Sequence, residues 1–85
     1  MQIICHTDFK HRGFTFEILI IENTDGKYDV YEAWIRVKDY GVMEYMFGCD
    51  KDQTKIDNFQ KIVEFNAYSY ADSYLDEYVE ESEEE

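Results

Sequence analysis

The residues with the clearest chemical potential are the acidic and aromatic side chains of the C-terminal third. From Glu64 to Val79, carboxylates are interleaved with tyrosines, and no lysine or arginine occurs after Lys61. Carboxylates form charge-assisted hydrogen bonds with arginine and lysine, and tyrosines supply large contact areas at protein interfaces. This combination predicts a surface that binds a basic protein.

The spacing of these acids on a helix makes the prediction more specific. Asp72, Asp76 and Glu80 recur at every fourth residue, which is about 6 Å along a helix axis. That separation is close to the distance between successive phosphates of one nucleic-acid strand, so the row, with Glu77 beside it, is expected to imitate a nucleic-acid backbone. The alternative is an ordinary solvated acidic face.

A metal or catalytic site has weaker support. Cys5, His6, Asp8 and His11 lie close in sequence, but Cys5 and His6 are adjacent, so on a strand they point to opposite faces and cannot easily share one ion. The CxxC, HExxH, GxSxG and P-loop spacings are all absent from the sequence. We therefore predict a protein that is not an enzyme and has no metal and no cofactor.

The overall charge narrows the class of partner. The 85 residues include twenty acids and eight bases, a formal charge of -12, and nine of the acids lie in the last 24 residues. An acidic surface repels phosphate, so we expect a basic, nucleic-acid-binding protein as the partner and no direct contact with nucleic acid. No apolar run is long enough to span a membrane and no signal peptide is evident, so we expect a cytoplasmic protein with free thiols at Cys5 and Cys49.

Four β-branched and aromatic runs predict the strands that must support this surface. They cover residues 2–9, 14–22, 28–38 and 42–47, with turns at 10–13, 23–26 and 39–41. In the third strand, alternation places Tyr31, Ala33, Ile35 and Val37 in the core. Trp34 then lies on the other face with Leu19 and Ile21, where it is a second candidate for partner contact.

After Gly48 the apolar period changes to that of a helix, and Thr54 with Asp57 is typical of a capping box. A continuous helix over residues 55–79 would be about 37 Å long, whereas a globule of this size is about 30 Å across. We therefore expect the helix to protrude or to break at Asn66 or Ser69. The predicted fold is an α+β domain over residues 1–79, a four-stranded antiparallel meander covered on one face by C-terminal helical segments, followed by a disordered acidic tail at 80–85.

A family resemblance is carried by short segments between residues 28 and 78. They are Trp34-Ile35-Arg36-Val37, Asp39-Tyr40-Gly41, Glu44-Tyr45, Ile56-Asp57 with Phe59, and the run from Tyr70 to Tyr78. In these segments the chain resembles small acidic phage anti-CRISPR proteins that inhibit type II effector nucleases. The resemblance implies a small sheet with packed helices, and DNA mimicry at the nuclease surface that reads the protospacer-adjacent motif (PAM). It also places the protein in the cytoplasm of a bacterial host.

Transferred position by position, the resemblance assigns binding acids to the turn and to the helix, and two tyrosines add packing. The predicted contact residues are Asp39, Glu44, Asp72, Asp76, Glu77, Tyr74 and Tyr78, with Trp34 as the secondary candidate. A different inhibitor class stays open, namely an immunity protein or antitoxin that neutralises a basic toxin nuclease. A monomer is expected, or a weak dimer formed through an edge strand.

Overall fold

The computed structural model describes residues 2–24, 29–38 and 42–78. Four strands precede one helix: β1 (Gln2–His11), β2 (Phe14–Asn23), β3 (Val30–Val37), β4 (Glu44–Asp50) and α1 (Ile56–Tyr78). The strands form one antiparallel sheet in the order β1-β2-β3-β4, and α1 packs against it. The predicted α+β meander with a helical layer is confirmed. The predicted turns at residues 25–26 and 39–41 and the tail at 80–85 lie outside the described residues.

A two-residue turn joins β1 to β2. Arg12 and Gly13 have φ angles of 55° and 84°. Two consecutive positive φ angles are typical of the type I′ turns that match the twist of a hairpin. β1 consequently continues to His11, two residues beyond its predicted end, and Arg12 is presented at this end of the sheet.

Every second residue along β2 and β3 contributes to the core beneath α1. The residues that face α1 are almost completely buried: they are Phe16, Ile18, Ile20, Ala33, Ile35 and Val37. The predicted inward face of the third strand is therefore confirmed. The helix supplies the opposing layer through Phe59, Val63, Ala67, Ala71, Tyr74 and Leu75.

β4 differs from its predicted extent. It was expected to end at Phe47, but it runs through Gly48 to Asp50. A Cβ atom on residue 48 would lie 2.7 Å from the carbonyl oxygen of Tyr31. The glycine therefore permits close approach of two backbones within the sheet, and does not end the strand.

Of the two expected outcomes for the helix, protrusion or a break at Asn66 or Ser69, the break does not occur, because α1 is continuous over 23 residues. A helix of that length spans about 35 Å, and the ten-residue strands β1 and β2 each span about 33 Å. The sheet is thus as long as the helix, and the molecule is elongated, with a longest dimension of 47 Å. The Asn66 side chain donates to the carbonyl of Ile62, 2.8 Å away, within the intact helix.

The start of α1 also differs from the predicted capping box. The carbonyl of Lys55 accepts the hydrogen bond from the N–H of Phe59, at 3.0 Å. Lys55 therefore occupies the N-cap position, one residue after Thr54. Burial raises the pKa of the nearby Cys49 thiol, and hydrogen bonding by the Thr54 side chain partly offsets this rise. In the described residues, no helix has the length and apolar character needed to cross a membrane.

Candidate partner-binding surface

The last turn of α1 carries exposed carboxylates that no described cation balances. Asp76 and Glu77 are both exposed, and the last turn contains no basic residue. Among the described residues, no lysine, arginine or histidine lies within salt-bridge distance of either side chain. These charges also lie at the negative end of the helix dipole, so their local interactions are unfavourable.

Asp72, one turn earlier, is in a different environment. Its Oδ1 accepts hydrogen bonds from Nε2 of His11 at 2.8 Å and from Nη1 of Arg12 at 3.1 Å. The hydrogen bond from His11, followed by that from Arg12, lowers the pKa of Asp72 below its usual value. Asp72 therefore ties the β1–β2 turn to the helix, and its charge is partly compensated within the molecule.

Glu44 lies near the end of α1, where it contacts Tyr78. The Tyr78 hydroxyl donates to Oε1 of Glu44 at 2.5 Å. This hydrogen bond, with smaller contributions from desolvation and the Glu44 charge, raises the pKa of Tyr78 to about 12. The structure thus places the predicted Glu44 and Tyr78 together, next to Glu77, although 34 residues separate Glu44 from Tyr78.

Tyr74 is a core residue. Its side chain is 1% exposed and packs edge-on against Phe16, with 5.8 Å between the ring centroids. Its hydroxyl donates to the carbonyl of Val42 at 2.6 Å. A buried ring is not accessible to a partner, so Tyr74 is left out of the candidate surface. Asp39 lies outside the described residues.

A cross-strand charge network lies on the sheet face opposite α1. Nε2 of His6 is 2.8 Å from Glu17 and 3.2 Å from Asp8. Nε of Arg36 donates to Glu17 and Nζ of Lys38 donates to Asp8, each at 2.7 Å. The hydrogen bond from Arg36 lowers the pKa of Glu17, and that from Lys38 lowers the pKa of Asp8.

His6, Asp8 and Glu17 are also the one described group whose ligand atoms lie close enough together to hold a metal ion. Arg36 and Lys38 already neutralise both carboxylates, which disfavours a divalent cation at this position. Sequence reasoning missed Glu17, which became apparent only from the antiparallel register that pairs it with Asp8.

The other two residues considered as metal ligands lie elsewhere. His11 stacks on Tyr68, with 4.7 Å between the ring centroids, and Cys5 accepts a hydrogen bond from the side chain of Gln60 at 3.0 Å. Both therefore contact the helix, whereas His6 lies on the open face. The prediction that Cys5 and His6 point to opposite faces is confirmed.

Trp34 lies on the open face of the sheet, as predicted. It lines a shallow depression with Ile3, Leu19, Ile21 and Met43. Its ring meets Tyr45 edge-on, with 5.2 Å between centroids, and its Nε1 donates to Glu32 at 3.2 Å. The predicted grouping of Trp34, Leu19 and Ile21 is therefore confirmed as a structural cluster, and its use by a partner stays a prediction.

Comparison with protein-family models, with curated proteins and with solved structures finds no match to this chain.

Proposed function

We propose that this chain is a non-catalytic inhibitor, a phage anti-CRISPR protein. In this proposal it acts in the bacterial cytoplasm as a DNA mimic that occupies the PAM-reading groove of a type II CRISPR effector nuclease. The observation that carries the proposal is the exposure of Asp76 and Glu77 at the end of an intact helix, with no described cation to balance them. The partial resemblance to acidic anti-CRISPR proteins supports the choice of partner.

The physical basis is electrostatic complementarity. A groove that normally holds DNA phosphates is lined with arginine and lysine, and the excess negative charge of this chain steers its approach to such a groove. Carboxylate–guanidinium pairs then fix the orientation of the complex. Unpaired carboxylates suit this role, because they need not give up an internal partner in order to bind.

The neighbouring residues have supporting roles in this proposal. Glu44 is presented beside the helix end by its hydrogen bond from Tyr78. Asp72 holds the β1–β2 turn against the helix and contributes less to binding, because His11 and Arg12 already bind its Oδ1.

The test is a competition assay with a purified type II effector–guide complex and a labelled duplex that contains the PAM. The wild-type chain is expected to displace the duplex, and the double variant Asp76→Lys with Glu77→Lys is expected to lose at least tenfold in apparent affinity. Loss of two charge-assisted contacts of about 1.5 kcal/mol each would exceed that factor. Fluorescence anisotropy of the labelled duplex measures its displacement by the wild-type chain and by the double variant.

The matched control reverses the same amount of charge elsewhere. Asp50 and Asp52 are exposed near the end of β4 and the loop that follows it, so Asp50→Lys with Asp52→Lys should retain most of the inhibition. Equal inhibition by both double variants, or failure of the wild type to compete, would overturn the proposal. If the chain binds a toxin nuclease and has no effect on the CRISPR effector, the alternative function, an immunity protein or antitoxin, is supported instead.

A further inference from the structure

The solvent side of α1 exposes three large apolar side chains within two turns. Phe65 is 88% exposed, Tyr68 is 59% exposed and Ile62 is 44% exposed. Single exposed apolar residues are ordinary on protein surfaces, but a contiguous group is typical of an interaction site. Phe65 lies directly opposite the buried stripe of the helix, and none of the elements that the structure describes covers it.

Tyr68 leans towards β1, where it stacks on His11, whereas Ile62 and Phe65 belong to a regular stripe along the helix. Starting at residue 58, the outward positions recur at intervals of four and three residues, and they are Asn58, Ile62, Phe65, Ser69 and Asp72. Alternating intervals of four and three are the spacing at which one helix packs along another. The stripe is apolar in its centre and polar at both ends.

We propose that this stripe pairs α1 with α1 of a second copy of the chain, in antiparallel orientation. A two-fold axis between residues 63 and 64 places Ile62 opposite Phe65 of the other copy. The same register places Asn58 opposite Ser69 and Lys55 opposite Asp72. Each contact occurs twice, as a closed two-fold interface requires.

The charge distribution selects this orientation. Lys55 and the positive end of the helix dipole lie at the start of α1, whereas Asp72 and Asp76 lie near its end. Parallel pairing would bring each of these acids against its own counterpart, whereas antiparallel pairing brings Lys55 of one copy against Asp72 of the other. The described contacts of Asp72 use only Oδ1, so Oδ2 is available to Lys55 of the second copy.

The paired segment leaves the proposed inhibitory surface open. In this register the two helices overlap over residues 56–71, so Asp76 and Glu77 extend past the start of the opposite helix. A dimer would therefore present two acidic ends that point in opposite directions. The pairing does not depend on the proposed function, and it is tested in the absence of any nuclease.

Sedimentation velocity over a wide range of protein concentration measures the association. The wild-type chain is expected to shift from the monomer towards the dimer as concentration rises, whereas Phe65→Ser should remain monomeric. The control is Ile3→Ser, because Ile3 is 57% exposed on the open face of the sheet and should not affect pairing. A wild-type chain that stays monomeric, or a Phe65→Ser chain that still associates, would overturn the proposal.

The orientation is tested with single cysteine variants and a short bismaleimide cross-linker. Mixing Asn58→Cys with Ser69→Cys should produce cross-linked dimers that contain one chain of each kind, above the background that Cys5 and Cys49 give in the wild type. Dimers formed by either variant alone would show parallel pairing and contradict the register. Lys55→Glu should weaken association, whereas Lys10→Glu, the same charge change on exposed β1, should not.

Discussion

Side chains of similar type have different roles at the acidic end of this molecule. Asp72 is bound by His11 and Arg12, whereas Asp76, one turn later, has no described cationic neighbour. Tyr74 is enclosed in the core, whereas Tyr78, one turn later, is partly exposed and donates to Glu44. Residue type and helical spacing are the same within each pair, so the difference comes from what the sheet places beside each position.

The Tyr78–Glu44 hydrogen bond predicts a specific alkaline instability. The pKa of Tyr78 is raised from 10.0 to about 12 in the folded protein, so the folded state holds this proton more tightly than the unfolded state. The resulting stabilisation is fully present below pH 10 and is lost as the pH rises towards 12. The melting temperature of Tyr78→Phe, measured by circular dichroism, is therefore expected to fall less than that of the wild type between pH 10 and pH 12.

Tyr45, whose pKa is raised mainly by burial, is present in both proteins. Its deprotonation therefore contributes equally to the fall of melting temperature with pH in the wild type and in Tyr78→Phe. The exposed Tyr68 provides a matched control, because Tyr68→Phe removes a hydroxyl that has no described hydrogen bond to a carboxylate. If the melting temperatures of the wild type and of Tyr78→Phe fall equally with pH, the Tyr78–Glu44 hydrogen bond does not contribute to stability.

The secondary-structure elements depend on one another for their length. α1 continues through Asn66 and Ser69, two residues with weak helix propensity, because the long sheet offers it an apolar surface from end to end. β4 continues through Gly48 because the backbone of β3 approaches it closely there. In both cases packing between elements overrides a local signal to stop.

Gly48→Ala tests the close approach of β3 and β4. The added Cβ would lie 2.7 Å from the Tyr31 carbonyl oxygen and 2.9 Å from Oη of Tyr45, so the backbone must shift. We expect the free energy of unfolding to fall by about 1–3 kcal/mol, as measured by urea denaturation. Because the closer contact is with backbone, adding Tyr45→Phe should not restore stability. Complete rescue by that second change would assign the effect to the Tyr45 hydroxyl instead.

At the scale of the whole molecule, positive and negative charges are segregated. Of the seven bases in the described part of the chain, four pair with described acids: these pairs are Arg12–Asp72, Arg36–Glu17, Lys38–Asp8 and Lys51–Glu22. All eight bases precede residue 62, whereas nine acids follow it. The negative excess is therefore concentrated in the C-terminal third, where repulsion among acids opposes folding and favours a basic partner.

This segregation predicts that added salt stabilises the protein. At 0.1 M ionic strength charges separated by more than about 10 Å are largely screened, so repulsion among the acids weakens and the melting temperature should rise with sodium chloride. Deleting residues 80–85 removes five acids and no base, so the truncated chain should show a shallower rise. If the melting temperatures of the full and truncated chains depend equally on salt, the repulsion does not arise from residues 80–85.

Much of the fold was predictable because it depends on local patterns. Alternation of apolar residues identified the four strands and the inward face of β3, and the change of period identified α1. Strand ends were less predictable, because a glycine can indicate either a turn or close contact within a sheet. Of the candidate surface, the exposure of Asp76 and Glu77 agrees with their positions on the helix, opposite or beside the buried stripe.

The sequence by itself determined the segregation of charge, the α+β class and the presence of an acidic helix, because composition and periodicity are properties of neighbouring residues. Only the tertiary structure decided that Asp72 binds His11 and Arg12, that Tyr74 is enclosed and that Tyr78 reaches Glu44. Those partners lie 61, 60, 32 and 34 residues away along the chain. Such contacts depend on the rotation and register of the helix on the sheet, which only the packing of the complete core sets.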